Sequence, residues 1–227
     1  MKKGSLGQSV YQYLLDQILM GNIKPGDRIP ETKIANELGI SRTPIRDALK
    51  QLANDGIVEI YPNRFVKVAH WDDDTTRQIG VVRIQLDLLA VKLAIIYASN
   101  ADFIQMFQHS ILCLQAAKEN DIAMRIKEDC AFHLDLSRIS KNKQLYEFQQ
   151  RTYLQIEFLQ SWRPAYLEKP EEQHKQHEQL FNALLERNEE KASALLTHHN
   201  IHFHDLEKHY PVEMFLRNNA LDDIFSQ

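Results

Sequence analysis

Apolar residues recur at helical spacing through most of this chain, and the places where the rhythm breaks divide it in two. Val10, Leu14, Leu15, Ile18 and Leu19 predict an amphipathic first helix over residues 5–20. Ile34, Ala35 and Leu38 predict a short second helix over 31–38, followed by a tight turn at Gly39-Ile40. Ile45, Ala48, Leu49 and Leu52 predict a third. It starts at Ser41, a favourable N-cap, and carries Pro44 in its first turn, where the missing amide proton costs little. Helix, glycine-containing turn and helix form the pattern of a helix-turn-helix. Gly56 ends the third helix, and residues 57–60 and 65–68 read as two strands around Tyr61-Pro62-Asn63-Arg64, which adds a wing.

From about residue 73 the pattern predicts helices and little else. A long apolar stripe, Ile79, Val82, Leu86, Leu89, Leu93 and Ile96, runs along 75–98, and Asp72 to Asp74 stand where they can cap that helix. Helices over 101–119, 121–140, 143–162, 171–187 and 189–209 follow, broken at Asn100, Asn120, Asn142, Arg163-Pro164 and Asn188. Six helices with short connections predict a bundle of antiparallel neighbours. The tail, 211–227, with Met214-Phe215-Leu216 and Leu221, Ile224 and Phe225, is a candidate for one more. The expected class is therefore mainly α: a winged helix-turn-helix over residues 1–70, then an all-helical antiparallel bundle of six or seven helices over 71–227.

At 227 residues and 44% hydrophobic, the chain suits one or two domains with a real core. No apolar run approaches the roughly 20 residues that cross a bilayer, and no apolar signal core follows Lys2 and Lys3, so a cytoplasmic protein without membrane partners is expected. Cys113 and Cys130 have no metal-type spacing and read as free thiols. The net charge of −4 disfavours a nucleic-acid binder only if taken over the whole chain. Residues 1–70 hold 10 Lys and Arg against 7 Asp and Glu, whereas the rest hold 17 against 24. That asymmetry fits a modestly basic DNA-contacting head on an acidic body.

Two sets of residues carry chemistry. On the third helix, Arg42, Thr43 and Arg46 share the face opposite the apolar one, near its N-terminus. Arg bonds guanine bidentately and Thr reaches a phosphate or a thymine methyl, which suits a helix entering the DNA major groove. In the bundle, Asp129 and His133 stand at i and i+4, with His177 and His199 on two later helices. One carboxylate and three imidazoles converging there would suit a divalent ion such as Zn, Ni or Mn, with positions left for water or a small acid. Spacing alone leaves other sets open, since His198 and His202 are also i and i+4, and His174 and His177 are i and i+3.

Residues 10–68, through Gly21-Asn22-Ile23-Lys24-Pro25-Gly26, the block Ser41 to Arg46 and Asp55-Gly56-Ile57-Val58, resemble the N-terminal domain of the GntR family of bacterial transcription regulators. The resemblance implies base and phosphate contacts for Arg42, Thr43 and Arg46, a contact from Thr32 or Lys33 on the second helix, and a minor-groove contact from the wing. The family usually has glycine near the wing tip; here Asn63-Arg64-Phe65 stands there, with Arg64 placed to reach a phosphate or a narrow groove. Residues 75–205 resemble the FCD effector domain of the FadR-type subfamily. The likeness is carried by Asp129 to His133, by Ser140 and Asn142, by His177-Glu178-Gln179-Leu180 with Ala183, Ala192 and His199, and by Arg83 with Leu86-Asp87, where the family's Glu is Asp. It implies Asp129, His133, His177 and His199 as metal ligands and a carboxylate effector at or beside the metal. Arg83 has two readings: a clamp for the effector carboxylate, or a salt bridge to Asp87 one turn along.

The function expected is a homodimeric regulator whose affinity for a double-stranded operator is set by a small carboxylate bound in the bundle. Two alternatives stand beside it. One is a DNA-binding regulator with a purely structural metal. The other is a metal-dependent hydrolase, for which no general base at a recognisable spacing, GxGxxG, P-loop or nucleophile elbow is found, so an enzyme is not expected.

Overall fold

The computed structural model describes residues 6–62, 64–163 and 169–215. Three helices, α1 (Leu6–Leu19), α2 (Glu31–Leu38) and α3 (Arg42–Asn54), precede a hairpin of β1 (Val58–Tyr61) and β2 (Phe65–Val68). The hairpin is antiparallel, with Val58 opposite Val68 and Tyr61 opposite Phe65, and Arg28 bridges to Lys67 at its edge. Leu14, Ile18, Ile45, Leu49 and Leu52 close one core under these elements, completed by Ile57, Val66 and Val68. The predicted helices and wing are thus present, and Gly39, at φ +64°, makes the turn between α2 and α3. Ser41 occupies the N-cap of α3 in an extended conformation, but its hydroxyl makes no capping bond.

Six helices form the bundle: α4 (Asp73–Tyr97), α5 (Asn100–Lys118), α6 (Ile122–Ile139), α7 (Lys143–Trp162), α8 (Pro170–Leu185) and α9 (Glu189–Phe203). Three of the residues expected to break the pattern, Asn100, Asn142 and Asn188, turn out to start the next helix, whereas Asn120 is a left-handed turn residue before Asp121 and Arg163 ends α7. Asn142 and Asn188 accept the amides of Leu145 and Lys191 as N-caps, each following a residue in the left-handed region, Lys141 or Arg187. Asp72, Ser99 and Asp121 cap α4, α5 and α6 in the same way, a bond that stabilises a helix by about 1 kcal/mol.

Two features depart from the sequence reading, the end of the last helix and the buried face of α4. The last helix ends at Phe203 instead of 209, because Asp205 turns into the left-handed region and swings Leu206 into a cluster with Ile84, Leu88, Ile201 and Phe215. The tail begins with a single 3-10 turn, Val212–Met214, and its remainder, with Leu221, Ile224 and Phe225, lies outside the described residues, as does Asn63 of the wing. On α4 the apolar stripe does not mark the buried face: Val82, Leu89 and Ile96 are exposed, while Gly80, Arg83, Ile84, Asp87, Val91 and Ala94 point inward. The helix buries a charged pair and shows apolar residues outside. No helix among the described residues is long and apolar enough to cross a membrane.

Candidate functional site

The basic face of α3 is where the sequence placed it. Arg42, Thr43 and Arg46 are exposed, as are Thr32 and Lys33 on α2 and Arg64 beside the wing. Arg42, Arg46 and Arg64 line one groove of about 390 Å³ between α3 and the hairpin, together with Tyr61, Phe65 and Glu31. Lys33 lines a different groove, beside Arg28 and Asp27, and pairs with Glu37 at 3.8 Å. Phe65, where glycine was expected, stacks on its cross-strand partner Tyr61 at 4.7 Å and carries the Arg28 guanidinium at 4.0 Å over its ring. Its bulk therefore packs along the hairpin.

Glu31 was missed by the sequence reading. As the first residue of α2 it receives Arg42 Nη2 at 3.2 Å and Arg46 Nε at 3.1 Å on one carboxylate oxygen. No spacing rule links positions 11 and 15 residues apart on two helices. The effect is that both guanidinium groups are held together, and partly neutralised, on the surface that would meet DNA.

In the bundle, α6 carries Asp129 and His133 one turn apart, α8 brings His177 and α9 brings His199. Their ligand atoms lie within 4.8 Å of one another, and all four residues are buried. Asp129 Oδ1 stands 3.5 Å from His177 Nε2 and 4.0 Å from His133 Nε2. The competing histidines are elsewhere: His174 and His198 are half-buried and His202 is exposed.

Burial and a neighbouring positive charge keep the imidazoles of this cluster in the neutral form that can ligate a metal. Burial, with Arg83 and neighbouring imidazoles adding to it, drives the His133 pKa well below its usual value. Burial likewise lowers His177 and His199 to about 3. All three rings are then neutral, with lone pairs available as ligands. His177 Nε2 and both nitrogens of His133 are buried without a hydrogen-bond partner, an expensive arrangement unless something else completes them. A divalent ion accepting those lone pairs, with Asp129 supplying charge, fits this donor set.

An outer layer of hydrogen bonds holds these side chains in place, as a metal site would require. Gln160 donates to Asp129 Oδ2 at 2.9 Å and Gln173 to Oδ1 at 2.8 Å, while Arg125 donates to Gln173 at 2.9 Å. His177 Nδ1 meets Ser110 Oγ at 3.2 Å, and His199 Nδ1 is bonded to Gln176. Gln173 lies one turn before His177, so helical spacing offered a hint of it. Nothing in the sequence pointed to Gln160, which comes from α7. Cys130, adjacent to Asp129, is not among the converging ligand atoms. Its thiol lies 3.7 Å from Gln160 Oε1, and burial raises its pKa well above the usual value.

Arg83 is 1% exposed, and its structural partner is present: Nε lies 3.5 Å from Asp87. Asp87 also accepts from Tyr153 at 2.7 Å, Gln149 at 2.6 Å and Asn200 at 3.0 Å. Burial opposes the guanidinium charge, but Tyr153, Asp87 and Asp129 outweigh it and raise the pKa. Nη2 of Arg83 nonetheless remains buried with no hydrogen-bond partner. Its charge depresses the pKa of all three site histidines, so a cationic donor with one free arm sits beside the cluster.

Residues 6–68 match the family described as bacterial regulatory proteins, gntR family, and residues 78–202 match the FCD domain. The chain is 25% identical over 208 residues to the Nta operon transcriptional regulator of Aminobacter aminovorans, covering 91% of this chain and 93% of that one. It is 26% identical to the Glc operon transcriptional activator of Escherichia coli, covering 93% and 95%. Among solved structures, E. coli McbR/YncC superposes with a TM-score of 0.73 at 24% identity, covering 87% of this chain and 94% of that one. A GntR regulator from Rhodococcus sp. RHA1 gives 0.75 at 21% identity, covering 92% and 100%.

Proposed function

Since the chain belongs to the GntR family of bacterial transcription regulators and carries an FCD domain in its C-terminal part, we propose that it is a metal-containing, carboxylate-responsive regulator acting as a homodimer. On this reading the chain is a DNA-binding regulator, as the relatives named above are transcriptional regulators. Residues 1–70 bind the operator duplex, with Arg42, Thr43 and Arg46 reading the major groove, Thr32 or Lys33 supporting from α2, and Arg64 reaching the backbone from the wing. Residues 71–227 hold a divalent ion, Zn, Ni or Mn, on Asp129, His133, His177 and His199, bind the effector and form the dimer.

What supports the sensor half is a set of buried, unpaired polar atoms. His133 Nε2 and His177 Nε2 face Asp129 Oδ1, and Arg83, whose charge acts on all three rings, keeps a buried Nη2 with no hydrogen-bond partner. A small acid that placed its carboxylate between the ion and the guanidinium would satisfy both. The exposed residues Val82, Leu89 and Ile96 support the dimer, because they repeat every seven positions along one face of α4, the spacing at which two helices pack. Each good bidentate base contact adds only about 1–3 kcal/mol of discrimination, so a second head on a matching half-site is a physical need. The effector switches the protein only by preferring one arrangement of the two heads.

Elemental analysis of the purified protein, with thermal shifts against a panel of small carboxylic acids with and without chelator, tests this. One metal per chain, and an acid whose stabilisation vanishes on chelation, is the expected result. Chelation that unfolds the bundle, together with DNA affinity indifferent to every acid, would leave the metal a structural role only.

A further inference from the structure

α7 touches both the Asp/His cluster and the N-terminal region, and it does so with opposite faces. Gln149, Tyr153, Ile156 and Gln160 follow one another at three- and four-residue spacing and face the bundle. There Tyr153 is bonded to Asp87 and Gln160 to Asp129. The other face carries Leu154, Gln155, Phe158 and Trp162. Phe158 belongs to the same core as the residues of α1 and α3, and Leu154 and Trp162 pack against it. Gln155 Nε2 donates at 3.0 Å to the backbone carbonyl of Asp55, the C-cap of α3. Gly56 follows at φ +85°, and a Cβ there would stand only 2.6 Å from the Gln155 amide, so glycine permits both the turn and the approach.

Trp71, in the connection from β2 to α4, closes this seam. It meets Phe158 edge-on at 4.9 Å and also packs on the cluster of Ile126, Cys130 and Leu159 beside the metal ligands. Trp162 lies over the Gly21 turn of the N-terminal region, 3.5 Å from where a Cβ would stand. The chain's 2 tryptophans are therefore both at this junction.

We propose that α7 is the element through which the recognition helix senses the state of the Asp/His cluster, with Gln160 as its contact at the cluster and Gln155 as its contact at the end of α3. Gln160 donates to Oδ2 of Asp129, while Oδ1 accepts from Gln173 and faces the histidines. A cation drawing on that second oxygen fixes the carboxylate, and Gln160 must follow, since separation would strand a buried amide. Gln155 lies five residues, about 7.5 Å, back along the same helix, and a hydrogen-bonded helix carries a small rotation or shift as a body. At its far end the movement acts on the carbonyl that terminates α3, and so on how that helix presents its N-terminal arginines. This coupling rests on the metal-binding function proposed above.

The full-length protein, stripped by chelation, is titrated with Zn2+ alone while tryptophan emission and hydrogen exchange of the amides at 52–57 are followed. Bound zinc is counted separately by elemental analysis. The wild type is expected to bind one equivalent with a saturable emission change and slower exchange at the end of α3. Gln155→Ala is expected to bind zinc with unchanged stoichiometry and to lose at least half of the exchange response. Gln160→Leu is expected to bind zinc 10- to 100-fold more weakly and, once saturated, to give little response at either readout. Zinc binding in the wild type with no response at the junction, or an undiminished α3 response in Gln155→Ala, overturns the coupling and leaves the metal site standing. Failure of the wild type to bind zinc overturns both.

Discussion

Glu31→Gln is expected to make the protein bind DNA more tightly. In the free protein one oxygen of Glu31 holds Arg42 and Arg46 at 3.2 and 3.1 Å. Neither guanidinium can approach a phosphate or a guanine edge without loosening that contact. The arginine side chains are 51% and 58% exposed, so each pair is worth only about 0.2–1 kcal/mol. Because the two compete for one oxygen, the combined hold is less than their sum, about 0.3–1.5 kcal/mol. At 1.4 kcal/mol per tenfold, release predicts roughly 2- to 10-fold tighter binding at low salt. The glutamine keeps the side chain's shape at the start of α2 and loses only its favourable charge near the helix N-terminus. Fluorescence anisotropy with a labelled random-sequence duplex measures the effect, and repetition at high salt should shrink it as screening shortens the reach of the charges. In an Arg46→Ala background the gain should fall to about half. Weaker binding by Glu31→Gln would refute this reasoning, since it would mean that Glu31 orients the arginines for recognition. No change at either salt would remove both arginines from the contact surface.

His177→Ala removes one of four ligands and should lower zinc affinity by more than the roughly 100-fold typical of an outer-layer loss, read by competition with a chelating dye; full stoichiometric metal would exclude His177. Arg83→Met should abolish the stabilisation by any active acid while leaving zinc bound, and an acid response of normal size would take the guanidinium out of the effector site. The same substitution breaks a buried ion pair and should cost about 3–5 kcal/mol in urea unfolding, towards the lower figure because Asp87 keeps Tyr153, Gln149 and Asn200 as donors. His109 bridges α5 to α6 through Asp135 and Glu128, and the bond to Asp135, opposed by burial and aided by Glu128, raises its pKa above 6.5. Its stabilising effect is then complete below pH 6.5 and lost as pH rises through the folded value; the melting-temperature gap between wild type and His109→Asn should close on that side, and a gap that widens with pH would contradict it.

The sequence revealed what local patterning controls. The helices of both halves, the Gly39 turn and the wing were legible because each is written in residues three or four apart or two apart. The asparagines at 120, 142 and 188 were recognised as breaks, but which of them caps a helix and which is itself the left-handed turn is set by backbone geometry: Asn142 and Asn188 follow the left-handed Lys141 and Arg187, and Asn120 is left-handed itself. The limits are equally physical. An apolar stripe does not say which side is buried, and α4 hides Arg83 and Asp87 while exposing Val82, Leu89 and Ile96. Periodicity alone treated His174 and His177 as equals; both meet Ser110, and only packing shows that His177 also turns its Nε2 to Asp129 while His174 lies against Phe107. Glu31 with its two arginines, and Gln160 with Asp129, join elements far apart in sequence, where no spacing rule operates.

Charge around the cluster is the reason for proposing a metal and an acid together in this site. Asp129 is the single anion among the converging ligands, Arg83 is a buried cation whose own carboxylate, Asp87, is already shared among Tyr153, Gln149 and Asn200. Adding a divalent ion to neutral imidazoles leaves excess positive charge in a region of low polarisability, where the attraction for an anion is far stronger than at the surface. Water completes the ion's coordination without neutralising it. A carboxylate does both, and it gives Arg83 Nη2 the partner it lacks. Metal and acid should therefore each tighten the other's binding by the same factor, because coupling between two ligands on one protein is reciprocal. On the function proposed above, the metal would supply the charge that draws a small acid deep into the bundle, and the acid would select the state of the bundle that α7 presents to α3.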